Sequence, residues 1–343
     1  AARRARRPCR RRPVTRPALC HALSASPAWP QGLTACGMPP PSSGQLAIAQ
    51  WLGLWDLQGR RLLDPQGQFD PEALHTWVEA GRLAFADRGR YVADPHSSPL
   101  ALPDPSQLLS TPYLSERAQL MGQMRRPKVL PGQWPTSPVS SMSEQPERGT
   151  SHLSIVDGRG MSLAMTTTIE QAFGNRRLVS LPGLPGGYWL NNQLTDFSFL
   201  PSDAQGQPIA NQVQPGRRPR SSMSPMLVLA PSPAHSLGEP VMVLGSPGGA
   251  AIISYVATRL QALREGLPAQ AAAELPHIAV LSADGPIAIE AARTPAALEA
   301  ALKARGHPTI TLELTSGLGL LMRTPGGWQS GVDPRREGLA LGD

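Results

Sequence analysis

Three short stretches carry reactive hydroxyls or bare backbone: Gly149-Thr150-Ser151, Ser221-Ser222-Met223-Ser224-Pro225 and Gly245-Ser246-Pro247-Gly248-Gly249. A Thr between a Gly and a strand is unremarkable on its own, and a Thr hydroxyl is a poor nucleophile that needs a base. A Thr at a chain N-terminus carries its own, because its α-amine titrates near pH ~8 and lies beside the hydroxyl. While Thr150 follows Gly149, that nitrogen is an amide and cannot serve. A chain that uses such a Thr must first cut itself. The hydroxyl attacks the preceding carbonyl, the acyl group shifts from N to O, and water releases it. A Gly at position 149 permits the backbone bend for that attack. Gly248-Gly249 lies between an apolar strand, Val241 to Leu244, and a helix that begins near Ala250. Two backbone N–H groups without side chains can approach a developing oxyanion, and a helix N-terminus favours negative charge. Many α/β proteins have such a turn for packing alone, and a phosphate site is the rival functional reading. No Gly-Lys-Ser or Gly-Lys-Thr follows, which disfavours a P-loop.

The elements around these stretches follow from hydrophobic period. His152 to Asp157 and Met161 to Thr168 alternate as strands around Gly158-Arg159-Gly160, a hairpin signal. Met226 to Ala230 and Val241 to Leu244 read as apolar strands, and Ala250 to Leu263 as a helix burying Ile252, Ile253, Val256 and Leu260. Ile278 to Leu281 and Ile287 to Glu290 flank Asp284-Gly285. Thr294-Pro295 starts a helix that stops at Gly306, and Thr309 to Thr315 and Leu318 to Arg323 are strands again. Upstream, Ser42-Ser43 can cap a buried helix carrying Leu46, Ala49 and Leu52. Asp70-Pro71 opens another, with Leu74, Trp77, Val78, Gly81 and Phe85 on one face. The charges of Glu79 to Arg88 read as an exposed face or ion pairs, and Arg217-Arg218 as a solvated turn. Tyr113 to Met124 reads as a short helix. Arg126 to Gly149 is rich in Pro, Ser and Gln without apolar period, the composition of a linker.

The 343 residues carry a formal charge of +7, which would fit a nucleic-acid partner if it were spread over the fold. It is not. Eight Arg fall within the first sixteen residues, and removing them leaves 24 bases against 25 acids. The basicity belongs to an arm read as disordered, so no nucleic-acid partner is expected of the body. That arm has no apolar core of a secretory signal, and no run of about 18 apolar residues exists to form a membrane span. The three cysteines, Cys9, Cys20 and Cys36, lie near the N-terminus, so no disulfide framework is expected to support the core. The seven His are scattered without ligand spacing, and neither a metal nor another cofactor is expected.

In this order, the motifs resemble the γ-glutamyltransferases (γ-glutamyltranspeptidases), N-terminal-nucleophile hydrolases that cut themselves in front of a Thr. The resemblance runs from about Cys36 to Glu337 and is strongest from Thr150 to Ile253. It includes Pro39-Pro40-Pro41-Ser42-Ser43-Gly44, Glu79 to Arg88, Asn191-Asn192-Gln193-Leu194-Thr195-Asp196-Phe197-Ser198 and Gly331-Val332-Asp333-Pro334-Arg335-Arg336-Glu337. It implies an α/β (α+β) four-layer αββα sandwich, incomplete at the N-terminus. It divides the chain into an arm outside the family (1–34), the C-terminal part of a large subunit (35–149) and a small subunit (150–343). Cleavage between Gly149 and Thr150 would leave a heterodimer. Thr150 is implied as nucleophile, Thr168 as the hydroxyl supporting processing, and Gly248 and Gly249 as the oxyanion hole. Gln193 and Asp196 match positions at the α-amino end of a γ-glutamyl group, and Ser221 and Ser222 positions at its α-carboxylate end. Asp196 can pair with an ammonium, and hydroxyls with nearby N–H groups can bind a carboxylate. Glu170 stands where well-known members have Asn, adding to ammonium binding or altering substrate choice. The family's substrate-carboxylate Arg has no match among residues 1–34.

The implied activity is transfer or hydrolysis of the γ-glutamyl group of glutathione-like amides, with water, an amino acid or a peptide as acceptor. The implied location is periplasmic or secreted. A related acylase for glutaryl- or cephalosporin-type amides is the rival within the class, and Asp196 favours a substrate with a free amine. A non-catalytic fragment and a basic-arm binding protein are the alternatives outside it.

Overall fold

The computed structural model describes residues 18–95, 102–134, 149–183 and 185–342. Its first part contains strands β1 (Leu19–Leu23) and β2 (Leu33–Gly37), then helices α1 (Gly44–Asp56), α2 (Pro71–Tyr91), α3 (Pro105–Leu108) and α4 (Thr111–Ala118). Strands β3 (Thr150–Val156), β4 (Ser162–Thr168), β5 (Leu178–Val179), β6 (Tyr188–Trp189), β7 (Met226–Ala230) and β8 (Glu239–Gly245) follow. The chain continues through α5 (Ile252–Arg264), α6 (Ala269–Glu274), β9 (Ile278–Ala279), β10 (Ile287–Glu290) and α7 (Ala296–Ala304). It closes with β11 (Thr309–Leu312), β12 (Gly319–Thr324) and β13 (Gly327–Val332).

Six strands form one antiparallel sheet in the order β1-β2-β7-β8-β12-β13. Helices α1, α2 and α5 supply its helical layer, and the β3–β4 hairpin packs on β7, β8 and β12. The helical core is rich in tryptophan. Trp51, Trp55 and Trp77 are each at most 1% exposed, with Trp51 and Trp77 rings 5.0 Å apart and Trp55 edge-on to Trp77 at 5.4 Å. Helix α2 approaches this cluster closely because of Gly81, where a Cβ would stand 2.4 Å from the Trp51 ring. Its start is where Asp70-Pro71 placed it: the Asp70 carboxylate accepts from the Glu72 and Ala73 N–H groups at 2.9 and 2.7 Å. Beside the main sheet, β10 pairs in parallel with β11 and antiparallel with β9. No helix among the described residues is long and apolar enough to cross a membrane.

Several sequence expectations fail here. The disordered arm does not extend to residue 34: β1 and β2 pair from Leu19↔Gly37 to Leu23↔Leu33, and β2 joins the main sheet through β7. A disulfide, Cys20–Cys36, links these strands, so two cysteines do brace the edge of the sheet. The eight Arg of the first sixteen residues lie outside the described residues. Of the two readings for the charges of Glu79 to Arg88, the exposed face fails and the ion pairs hold. Glu79, Arg82, Asp87 and Arg88 are each at most 2% exposed, because other elements cover α2 on this side too. Arg82 pairs with Glu79 at 2.5 Å and Arg117 with Asp87 at 3.2 Å. Burial pushes the Asp87 carboxyl up, against the opposing pull of Arg117, the Gly132 N–H, Tyr113 and Gln50. Nor is Arg217-Arg218 a free turn: Arg217 is buried and donates to Ala210 O at 2.9 Å, while Arg218 pairs with Asp94 at 3.1 Å. Arg126 to Trp134, the start of the expected linker, is tied down in part, with Val129 N–H on Asp284 and Gly132 N–H on Asp87. Residues 135–148 of that linker lie outside the described residues.

Candidate functional site

The turn of the β3–β4 hairpin sets the register of everything beyond it. The Asp157 carboxylate accepts from the Arg159 and Met161 N–H groups at 2.8 and 2.9 Å, and Gly160 takes φ +84°. Counting back along the ladder, Thr150 falls directly opposite Thr168. The Thr168 hydroxyl donates to the Gly149 carbonyl at 2.8 Å and accepts from the Glu170 N–H at 2.9 Å. Gly149 sits at φ +101°, and a Cβ there would stand 2.9 Å from Glu170 O and 3.0 Å from Ala172 N. This position therefore requires glycine on both conformational and steric grounds. The carbonyl that a Thr150 hydroxyl would attack is thus polarised by a neighbouring O–H, and Thr150 itself is buried.

The inward face of the hairpin is polar. His152 Nδ1 and Nε2 lie 2.8 and 3.0 Å from the hydroxyls of Thr166 and Ser154. The ring fits because the facing residues, paired between β8 and β12, are Gly245 and Gly319; a Cβ on Gly245 would stand 2.3 Å from it. Burial pushes this imidazole down to about 4, so it is neutral at pH 7.

Asn192 joins the hairpin to a second group of residues. Its N–H donates to Ile169 O at 3.2 Å, its Oδ1 accepts from Gln171 N–H at 3.0 Å, and its Nδ2 donates to a Glu170 carboxylate oxygen. The next residues enter a 3-10 turn, Gln193–Asp196. Gln193, Asp196 and Ser221 line one cavity of roughly 530 Å³ together with Arg218 and the run Met38 to Ser42. Thr150 does not line it. The Ser221 side of the cavity is laced to the proline run: Ser43 N–H and hydroxyl both donate to Ser221 O, at 2.8 and 2.7 Å, and Ser221 N–H donates to Pro41 O at 3.2 Å. Ser43 therefore does not cap α1 with its side chain, contrary to the expectation for the Ser pair. Ser222 lies behind, 1% exposed, its hydroxyl accepting from Arg88 Nη2 at 2.7 Å.

Gly248 and Gly249 lie where β8 ends and a 3-10 turn, Gly249–Ala251, leads into α5. Both have positive φ, +135° and +60°. A Cβ on Gly248 would stand 2.5 Å from the Tyr255 ring, which itself lies 3.9 Å from the His277 ring. His277 Nε2 contacts the Ser316 hydroxyl at 2.5 Å, and that hydroxyl donates to Asp333. Burial, then Arg259, Arg335 and Arg293, pushes His277 well below its ordinary value. Burial alone would raise Asp333, but the Ser316 hydroxyl, the Arg335 and Leu318 N–H groups and the Arg335 guanidinium outweigh it and hold the carboxyl low.

The structure thus gathers Gly149, Thr150, Thr168 and Glu170 into one cluster, and Gln193, Asp196 and Ser221 into an adjoining cavity. Sequence reasoning missed His152, Asn192 and Arg88. Arg88 was given no role because the charged run on α2 read as an exposed face or ion pairs, and Asn192, though within the Asn191 to Ser198 motif, because its part is to join two loops.

The gamma-glutamyltranspeptidase family model matches residues 12–342, so the expectation that residues 1–34 stand outside the family fails from residue 12 onward. The chain is 34% identical over 264 residues to the glutathione hydrolase proenzyme of Bacillus subtilis (strain 168), covering 74% of this chain and 41% of that protein. It is 29% identical over 304 residues to the Acylase ACY 1 proenzyme of Pseudomonas sp. (strain SE83), covering 88% and 48%. The solved structure of cephalosporin acylase from Bacillus halodurans superimposes with a TM-score of 0.71 at 22% identity, covering 94% of this chain and 52% of that one. That likeness carries the fold alone: mixed α/β, with a six-stranded antiparallel sheet. The chain spans about half the length of the curated relatives it matches.

Proposed function

Because the chain belongs to the gamma-glutamyltranspeptidase family, we propose that it encodes the self-cleaving, acyl-transferring part of a γ-glutamyltransferase or glutathione hydrolase. The observation that carries this reading is the hydrogen bond from the Thr168 hydroxyl to the Gly149 carbonyl, beside a buried Thr150. In the first step the Thr150 hydroxyl attacks Gly149 C=O, and the O–H of Thr168 stabilises the oxyanion that forms there. The acyl group moves from N to O, and water releases it. The free α-amine of Thr150 is then the base for its own hydroxyl. In the second reaction that hydroxyl takes the γ-glutamyl group, with the N–H groups of Gly248 and Gly249 as oxyanion donors. Asp196 and Gln193 receive the α-ammonium end and Ser221 the α-carboxylate end, with Ser222, which does not line the cavity, behind it on Arg88. Support for the amine assignment comes from Asp196 and Gln193 lining the same cavity as Ser221. Water, an amino acid or a peptide then takes the acyl group. The two pieces, 18–149 and 150–342 among the described residues, act as one heterodimer. The family's relation to glutathione hydrolases favours glutathione-like amides and a periplasmic or secreted site of action.

An acylase acting on glutaryl- or cephalosporin-type amides is the second reading. The acylase relative, and the apolar cavity wall of Met38, Pro39, Pro40 and Leu194, favour it. Hydrolysis of γ-glutamyl-p-nitroanilide against glutaryl-p-nitroanilide separates the two, because glutaryl lacks the α-amine. The first reading expects the γ-glutamyl compound to be faster by about 10- to 100-fold, roughly 1.4 kcal/mol per decade, with Asp196→Asn closing most of the gap. A faster glutaryl substrate, indifferent to Asp196→Asn, would support the acylase.

A further inference from the structure

The C-terminal run Asp333-Pro334-Arg335-Arg336 has no part in the chemistry above, yet the fold brings it to the nucleophile. Its first half is a buried anchor. Asp333 accepts from the Leu318 and Arg335 N–H groups at 3.1 and 3.0 Å. Arg335 forms a two-point ion pair with Glu290, at 2.5 and 2.6 Å, and donates to Ala273 O and Leu275 O at 3.1 and 2.8 Å. From this fixed turn Arg336 reaches across to β3. Its Nη1 donates to the Thr150 carbonyl at 3.1 Å and its Nη2 to the Thr315 carbonyl at 3.2 Å. Its path is open because residue 317 is Gly: a Cβ there would stand 3.1 Å from Arg336 Cδ and 2.9 Å from Pro247, the residue before Gly248.

We propose that Arg336 is a positioning residue for Thr150, fixing the nucleophile's backbone once cleavage has made it a chain end. The inference rests on the reading of Thr150 as an N-terminal nucleophile. Before cleavage Thr150 is held through Gly149, whose carbonyl is bonded to Thr168. Cleavage removes that tether, and strand ends fray unless something ties them down. The guanidinium on the Thr150 carbonyl is such a tie, and bonds of this charge-assisted kind are the strong ones. The same cation acts on the new α-amine, one residue's backbone away. It disfavours the protonated amine and keeps more of it as free base at neutral pH. The other charged or titratable groups on the elements packed here are Glu170 and His152 of the hairpin and its exit, the exposed Glu313 and Glu337 on the stretches either side of Arg336, and Asp333 and Arg335, which pair with each other and, through Arg335, with Glu290. Glu170 acts in the opposite sense to Arg336, and Asn192 engages its carboxylate.

The test compares Arg336→Gln and Arg336→Lys with the wild type. Arg336 is exposed, so its field is screened. Removing its charge is expected to raise the α-amine, and with it the acid limb of the kcat profile on γ-glutamyl-p-nitroanilide, by about half a pH unit. Arg336→Gln is also expected to lower kcat about 3- to 10-fold with KM little changed, since it disturbs the nucleophile and not the cavity. Arg336→Lys keeps the charge and leaves the acid limb in place. An acid limb and kcat of Arg336→Gln equal to the wild type would overturn the proposal. Amide hydrogen exchange in a Thr150→Ala background, which needs no cleavage, gives the independent arm. Adding Arg336→Gln should speed exchange at Ser151 and His152 but not at Ile155 and Val156. Equal exchange at both ends of β3 counts against the positioning role. A wild type that never cleaves argues against the reading of Thr150, and the exchange result alone then decides whether Arg336 holds β3.

Discussion

Two residues in the candidate site carry costs visible in their geometry. Glu170 adopts φ +75°, a left-handed conformation that a side chain other than Gly, Asn or Asp disfavours by about 1 kcal/mol or more. Asn, the residue that the family resemblance places there, suits this backbone better. We expect Glu170→Asn to melt at the same temperature as the wild type or higher, although it gives up the contact with Asn192. A fall of several degrees would show that the carboxylate–Asn192 contact outweighs the backbone cost. His152 makes a second prediction. Its folded-state value is pushed down to about 4 from an unfolded value near 6.5, so the unfolded chain binds the extra proton. The resulting stability is fully present above about pH 6.5 and is lost as pH falls towards 4, to a total on the order of 2–3 kcal/mol. Urea melts at pH 7 and pH 4.5 should show a smaller loss in His152→Gln than in the wild type, because Gln can bond Thr166 or Ser154 without titrating. Equal losses would mean that the imidazole is not buried neutral.

Among the elements, the turn after β8 limits what can be substituted at its glycines. Gly248→Ala would place a methyl against Tyr255 at a position with φ +135°. With the Gly248 N–H as an oxyanion donor, kcat should fall by about 10²- to 10³-fold, the loss seen when one such donor is removed or misplaced. Activity within a factor of two of wild type would remove Gly248 from the mechanism. The β3–β4 hairpin, the β7 and β8 strands, α5 and the Asp70-Pro71 start of α2 were all legible in the sequence. Each combines a clear period with a turn or cap residue at its end. The edge strands were not. β1 (LCHAL) and β13 (GWQSGV) are short, and β13 is largely exposed, so neither builds a period that competes with loop composition. The cluster around Thr150 was legible only through the resemblance, because a Gly-Thr before a strand has no chemical signature of its own. The lacing of Ser221 to Pro41 and Ser43 joins residues nearly 180 apart in sequence and leaves no local pattern.

Across the whole molecule, the pieces on either side of Gly149–Thr150 have to stay together after cleavage for the site to persist. The contacts between them are buried and polar as well as apolar. Glu265 accepts from the Leu62 and Leu63 N–H groups at 2.7 and 3.0 Å, Arg264 pairs with Asp56 at 3.0 Å, and α1 packs on α5. We therefore expect the two fragments to co-elute in native size exclusion and to separate only in denaturant. Within the first piece, Glu79→Ala should lower the stability of the fold by about 3–5 kcal/mol, because it strands the buried Arg82 without its close partner on α2. Chemical denaturation would measure that loss, and one below about 1 kcal/mol would show that Asp284 or solvent compensates. The most direct test of the central claim is the intact mass of the purified, folded chain under denaturing conditions, beside Thr150→Ala. The account predicts two fragments in the wild type, meeting between Gly149 and Thr150, and a single uncut mass in the Ala variant. A folded wild type that keeps one mass, or a cut that persists in Thr150→Ala, would contradict it.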